Sequence, residues 1–143
     1  MKISTRGKYA LRFMFYMAEH GKDGFIALKD VSDYENISLK YLEQIAALLS
    51  KAGLLVSVRG PQGGYKLAKS PDRYTALDII RVTEGDLSPV AETAGDGEKE
   101  SDRIINEVLW KGLKTAVDDF LGSVTLEDLV NKSKTMEDFV YMI

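Results

Sequence analysis

An arginine and a lysine flank a glycine-rich turn in the stretch Val58-Arg59-Gly60-Pro61-Gln62-Gly63-Gly64-Tyr65-Lys66-Leu67. A guanidinium suits the concentrated negative potential of a narrow minor groove, and an ammonium neutralises a phosphate. Glycine lacks a Cβ, so the turn at Gly60, Gly63 and Gly64, with Tyr65 beside it, can bring its backbone close to a polymer. A second group precedes it: Ser38, Lys40, Tyr41, Glu43 and Gln44. Gln pairs with adenine and Glu accepts from cytosine N4. Ser and Tyr hydroxyls and the N–H groups of a helix start suit phosphates. Lys2, Arg6, Lys8 and Arg12 add cations near the start of the chain, for phosphate contact or as plain surface charge. This is the chemistry of reading nucleic acid, not of catalysis. The chain has 1 histidine and 0 cysteines. It offers no thiol nucleophile and no thiolate metal site. His20 has no evident partner, and Asp118-Asp119 and Glu127-Asp128 read as solvated faces and capping charge. The sequence predicts no enzyme, no cofactor and no metal.

The elements that must hold these residues are mostly helical. Lys8 to His20 is apolar on most sides, which predicts a helix buried on more than one side and stopped at Gly21 and Gly24. Leu28 to Tyr34 predicts a short second helix. Ser38 caps a third, in which Leu39, Leu42, Ile45, Ala46 and Leu49 form the buried stripe and Lys40, Glu43, Gln44 and Lys51 the outer face. Ala52-Gly53 ends it. Alternation then sets Leu54, Val56 and Val58 against Leu55, Ser57 and Arg59, and a β-hairpin follows across the glycine turn. Thr75 caps a helix from Ala76 to Thr83, ended at Gly85. Asp86 to Gly97 reads as loop. A long helix spans about Glu100 to Leu121, with a near-heptad stripe of Ile105, Leu109, Leu113, Ala116 and Phe120. Thr125 caps a last short helix, Leu126 to Asn131, before a tail.

Three short helices and a hairpin are the order of a winged helix-turn-helix, whose third helix enters the major groove while the wing lies over backbone or minor groove. The expected fold is mainly α (α+β): a DNA-binding domain over 1–85, a hinge loop over 86–99, and a dimerisation helix with a tail over 100–143. Charge divides at the same place. Through Gly85 about 13 Lys and Arg stand against about 9 Asp and Glu, and from Asp86 onward about 6 against about 13. No apolar run nears the roughly 18 residues of a membrane span. Arg12 interrupts the apolar start and no small-residue cleavage site follows, so the N-terminus reads as a helix of a cytoplasmic protein, not a signal peptide.

The segments "MKISTRGKYAL", "ISLKYLEQIAALLSKAGLLVSVRGPQGGYKLAK" and "ALDIIRVTEG" resemble the winged helix-turn-helix regulators that include IscR, NsrR and CymR. The likeness is dense over 1–85 and looser over the long helix and "TLEDL". It implies a homodimeric transcription factor, usually a repressor, on an imperfect palindrome of double-stranded DNA. It assigns Glu43 and Gln44 to base reading and Arg59 to the minor groove. Cluster-binding members carry three cysteines before the long helix. Here that loop, "DLSPVAETAGDGEKES", holds none, so a cluster bound through that motif is excluded. The branch without those cysteines, the cysteine metabolism repressors, is similar in "EGDLSPV" and in the final Tyr141-Met142-Ile143. That branch implies a partner, cysteine synthase, entered by a C-terminal isoleucine carboxylate. Two other readings stand beside it: a regulator of the same fold with a different ligand or partner, and an interaction module without DNA binding.

Overall fold

The computed structural model describes residues 1–21, 24–90 and 99–142, with side chains to residue 137. Helix α1 (Thr5–His20) starts where the Ser4 hydroxyl accepts the Gly7 N–H, and stops at Gly21. Helix α2 (Leu28–Glu35) ends on Asn36 in the left-handed region, φ 56°. Helix α3 (Leu39–Lys51) starts where the Ser38 hydroxyl accepts the Tyr41 N–H at 3.1 Å. Helix α4 (Ala76–Glu84) carries a full capping box: Thr75 and Asp78 each bond the other's backbone N–H. The starts of α1, α3 and α4 are thus written in a hydroxyl residue that satisfies an orphan N–H, whereas α2 starts at Ala27 without a side-chain cap.

The core lies where α1, α2, α3 and α4 meet. Phe13, Met14 and Met17 of α1 pack in one buried cluster with Val31, Leu42, Ile45, Leu49, Tyr74 and Ile79. Each such apolar side chain contributes about 1.5–3 kcal/mol by leaving water. The stripe on α3 is therefore what fixes the helix, leaving its other face free. Leu39 departs from the expected stripe: it is 41% exposed. Its helical angle is right, but at the first residue of α3 the neighbouring elements leave the side chain only partly covered, while Leu42 one turn on is fully buried.

Strands β1 (Leu55–Val58) and β2 (Gly64–Leu67) form an antiparallel hairpin in register from Leu55↔Leu67 to Val58↔Gly64. Ile26 adds one rung to Tyr65, with paired N–H···O bonds of 2.7 and 2.8 Å. Leu54 and Leu55 are buried while Val56 and Val58 are exposed, because no second layer covers the outer face of this two-stranded sheet.

Beyond the loop, α5 (Glu100–Ile105), a π turn (Asn106–Trp110) and α6 (Lys111–Ser123) follow without a break. The π turn, closed by the Lys111 N–H on the Asn106 carbonyl, inserts one residue into the expected unbroken heptad. The expected stripe of Ile105, Leu109, Leu113, Ala116 and Phe120 is exposed throughout, along with Val108. Helix α7 (Leu126–Met142) is longer than predicted and does not stop at Asn131. Thr125 and Asp128 cap it reciprocally at 3.0 Å. Its Leu126 and Val130 are buried in the same core as Phe13. No helix among the described residues is long and apolar enough to cross a membrane.

Candidate nucleic-acid interface

The cap and first two turns of α3 present Ser38, Lys40, Glu43 and Gln44 to solvent. Leu42, Ile45, Ala46 and Leu49 hold the same helix from behind. Tyr41 is half-buried and stands edge-on to Tyr9 of α1, with ring centroids 5.6 Å apart. That contact packs the start of α3 against α1. Lys2, Arg6 and Lys8 are exposed. The backbone N–H of Ser4 donates to the Glu84 carboxylate at the end of α4, so the segment bearing these cations is anchored. Arg12 is not part of this group. Its guanidinium grips Glu35 through Nε at 3.1 Å and Nη2 at 2.9 Å and lies over the Tyr9 ring, tying α1 to α2.

The hairpin end carries Arg59, exposed and without a carboxylate within ion-pair distance among the described residues. Two of its glycines are demanded by the protein's own backbone. A Cβ on Gly63 would lie 2.1 Å from the Val58 carbonyl oxygen. One on Gly64, where φ is +148°, would lie 2.3 Å from the Ile26 oxygen. Gly60 has open space around it. Lys66 is exposed, with its ammonium 4.9 Å from the centre of the Phe25 ring. Tyr65 is half-buried and packs on the core, so its part in the wing is to position, through the rung to Ile26.

One residue escaped the sequence reading. Tyr74 is 0% exposed. Its hydroxyl donates to the Leu54 carbonyl at 2.7 Å and accepts the N–H groups of Ala68 at 2.8 Å and Lys69 at 3.0 Å. Burial raises its pKa above the usual 10.0, against the pull of the two N–H donors. The available signal was its place just before the Thr75 cap, with Ile79 four residues into the turn, the positions of a hydrophobic staple. Asp118, read from sequence as part of a solvated face, is instead mostly buried. It sits between Lys114 at 3.0 Å and Arg81 of α4 at 3.9 Å. Lys114 also pairs with Asp86 at 3.2 Å, and its pKa is raised by Asp118 first and Asp86 second. Asp118 fell on that face by angle, but α4 packs against it.

A helix pair whose second member offers a polar first turn, followed by a cationic two-stranded wing, defines a winged helix-turn-helix. The family model described as Rrf2, iron-dependent transcriptional regulator, matches residues 3–132, and the chain belongs to that family. It is 44% identical over 131 residues to the transcriptional regulator CymR of Bacillus subtilis, covering 92% of this chain and 91% of the relative. It is 35% identical to IscR of Pectobacterium carotovorum, over 96% of this chain and 84% of that one. The solved structure of B. subtilis CymR, described as the global cysteine regulator, superposes with a TM-score of 0.79 at 42% identity, over 92% and 98% of the two chains. The protein is a transcriptional regulator close to CymR, and its relatives are regulators, not enzymes. The family's description names iron. With 0 cysteines in the sequence, and no group of three His, Cys, Asp or Glu among the described residues placed to hold a metal, the donor set does not fit a thiolate-held cluster.

Proposed function

We propose that the protein is a homodimeric repressor that binds an imperfect palindrome of double-stranded DNA. The observation that carries this is the exposed face at the start of α3, Ser38, Lys40, Glu43 and Gln44, held by a buried back face, while Arg59 stands on the wing with no ion-pair partner among the described residues. Glu43 and Gln44 meet base edges. Arg59 enters the minor groove. Lys2, Arg6, Lys8, Lys40, Lys66 and the hydroxyls of Ser38 and Tyr41 meet phosphates, with Gly60, Gly63, Gly64 and Tyr65 shaping the wing. Residues 1–85 do the binding, 86–99 form the hinge, and 100–143 hold the partner subunit through the exposed stripe of α5 and α6. A two-fold dimer then sets two α3 helices about one helical turn apart on the DNA. DNA as ligand sets its work in the cytoplasm.

The genes are those of cysteine and sulfur metabolism, and the signal comes through cysteine synthase. This finer reading rests on the likeness to CymR and on the absence of cluster cysteines, which leaves the signal to some other messenger. Tyr141, Met142 and Ile143 are its proposed anchor; their side chains lie outside the described residues.

The test of DNA reading is a binding titration on a duplex that the protein itself selects from random sequence. Arg59→Ala is expected to weaken binding by about 1–3 kcal/mol, with the loss concentrated on the selected site relative to scrambled DNA. Unchanged affinity removes Arg59 from the interface.

A further inference from the structure

We infer that Tyr74 is a positioning residue of the wing, a buried side chain that ties both legs of the hairpin to the corner between α6 and α7. Its consequence for DNA rests on the reading proposed above, but its structural part does not. Apolar packing holds the hairpin only near its base and on one face, through Leu54, Leu55, Tyr65 and Leu67, while Val56 and Val58 face solvent. It is fixed at its base. The Tyr74 hydroxyl bonds Leu54 just before β1 and Ala68 and Lys69 just after β2, so one oxygen gathers both legs. The backbone of the same residue faces the other way. Its carbonyl accepts the N–H of Leu126, the first residue of α7, at 3.0 Å. Thr75 pairs with Thr125, and the Ala76 N–H donates to the Val124 carbonyl at 2.8 Å. The stitched segment, 124–126, is the turn between the helix with the exposed apolar stripe and the helix that ends the described chain.

A phenol ring has no internal torsion. Between backbone and hydroxyl it is a strut of fixed length with two side-chain angles, both locked by complete burial. A displacement of the 124–126 turn therefore reaches both legs of the wing, and with them Arg59, through one rigid group. A subunit or partner protein that moves α6 or α7 moves the wing without touching it.

The first measurement is amide hydrogen exchange on the free protein. Tyr74→Phe, which removes only the hydroxyl, is expected to speed exchange at Ala68 and Lys69 about tenfold and to leave Ile45 to Leu49 of α3 unchanged. Thr125→Ala keeps the phenol and loosens the corner; it should speed the same two amides by about threefold. No change at Ala68 and Lys69 in either variant overturns the inference. The second measurement is operator affinity. Tyr74→Phe should weaken it about tenfold, equivalent to ~1.4 kcal/mol, and should have no further effect in an Arg59→Ala background. An equal loss in both backgrounds marks a general loss of stability and overturns the positioning role. If Arg59→Ala itself changes nothing, the fault lies in the wing's assigned DNA contact, and exchange at Ala68 and Lys69 still decides the strut.

Discussion

At the scale of the residue, the same letter does different work at neighbouring positions. Gly60 and Gly64 both have positive φ, but of the two only Gly64 lies against other backbone, that of Ile26 and Ala27. Gly64→Ala must break the rung between Ile26 and Tyr65 as well as strain φ, and is expected to cost about 2–4 kcal/mol in chemical denaturation. Gly60→Ala meets open space and should cost only about 1 kcal/mol. Equal losses for the two would show that strain alone, not the approach of Ile26, sets the price. Tyr74 carries a pH signature. Burial raises its pKa in the folded state, so the phenol ionises more readily in the unfolded chain. Its stabilisation is complete below about pH 10, the unfolded value, and is lost as pH rises through the folded one. Lys114, also raised, pulls the same way in every variant that keeps Asp118 and Asp86. Wild type should therefore lose its denaturation midpoint faster than Tyr74→Phe between about pH 9 and pH 11. Parallel decline in the two proteins would mean that Tyr74 ionises as freely folded as unfolded.

At the scale of the element, periodicity told most of the fold because helices bury one face and hydroxyl caps mark their starts. Ser38 and Thr75 were legible for that reason, and so were Leu42, Ile45, Ala46 and Leu49. Leu39 was not, since burial depends on where neighbouring elements end and not on helical angle alone. The π turn was not legible either, because an inserted residue leaves the sequence apolar in much the same places. Of the proposed interface, the exposure of Lys40, Glu43, Gln44 and Arg59 could be read from their polar chemistry. Tyr74's burial had a signal in its place before the Thr75 cap, but its hydroxyl's role had none: its partners are backbone atoms, which carry no residue type. The stripe on α5 and α6 gives a prediction at this scale. Val108 is 75% exposed and Phe120 66% in the single chain, more apolar surface than a lone helix face keeps in water without reason. Val108→Glu sets a charge in the proposed subunit contact and should raise the dimer dissociation constant at least tenfold, about 1.4 kcal/mol. Sedimentation of wild type and variant reads this directly, and identical profiles would clear Val108 of the contact.

At the scale of the whole molecule, the two halves differ in charge, and the acidic one holds the helices that turn back onto the DNA-binding core. Leu126 and Val130 are buried with Phe13, so α7 is seated on the same body that positions α3. A partner that grips the end of α7 acts on a helix rooted beside the wing's base, and it need not compete with DNA to be felt there. That arrangement suits an enzyme as messenger. On the reading proposed above, a chain without cysteines would take its signal from a protein whose occupancy already reports the metabolite. Calorimetric titration of cysteine synthase with the purified regulator is the measurement that separates this from a small-molecule effector. Binding is expected with the intact chain, to vanish when Ile143 is removed, and to be displaced by O-acetylserine, while the truncated protein keeps its affinity for the selected duplex. If the truncated chain binds the enzyme as well as the intact one, the isoleucine carboxylate is not the anchor. If neither binds, the protein remains a regulator of this family whose signal enters elsewhere. The turn at 124–126 is then where a screen of effectors should look for altered amide exchange, because any ligand that moves it must also move the wing.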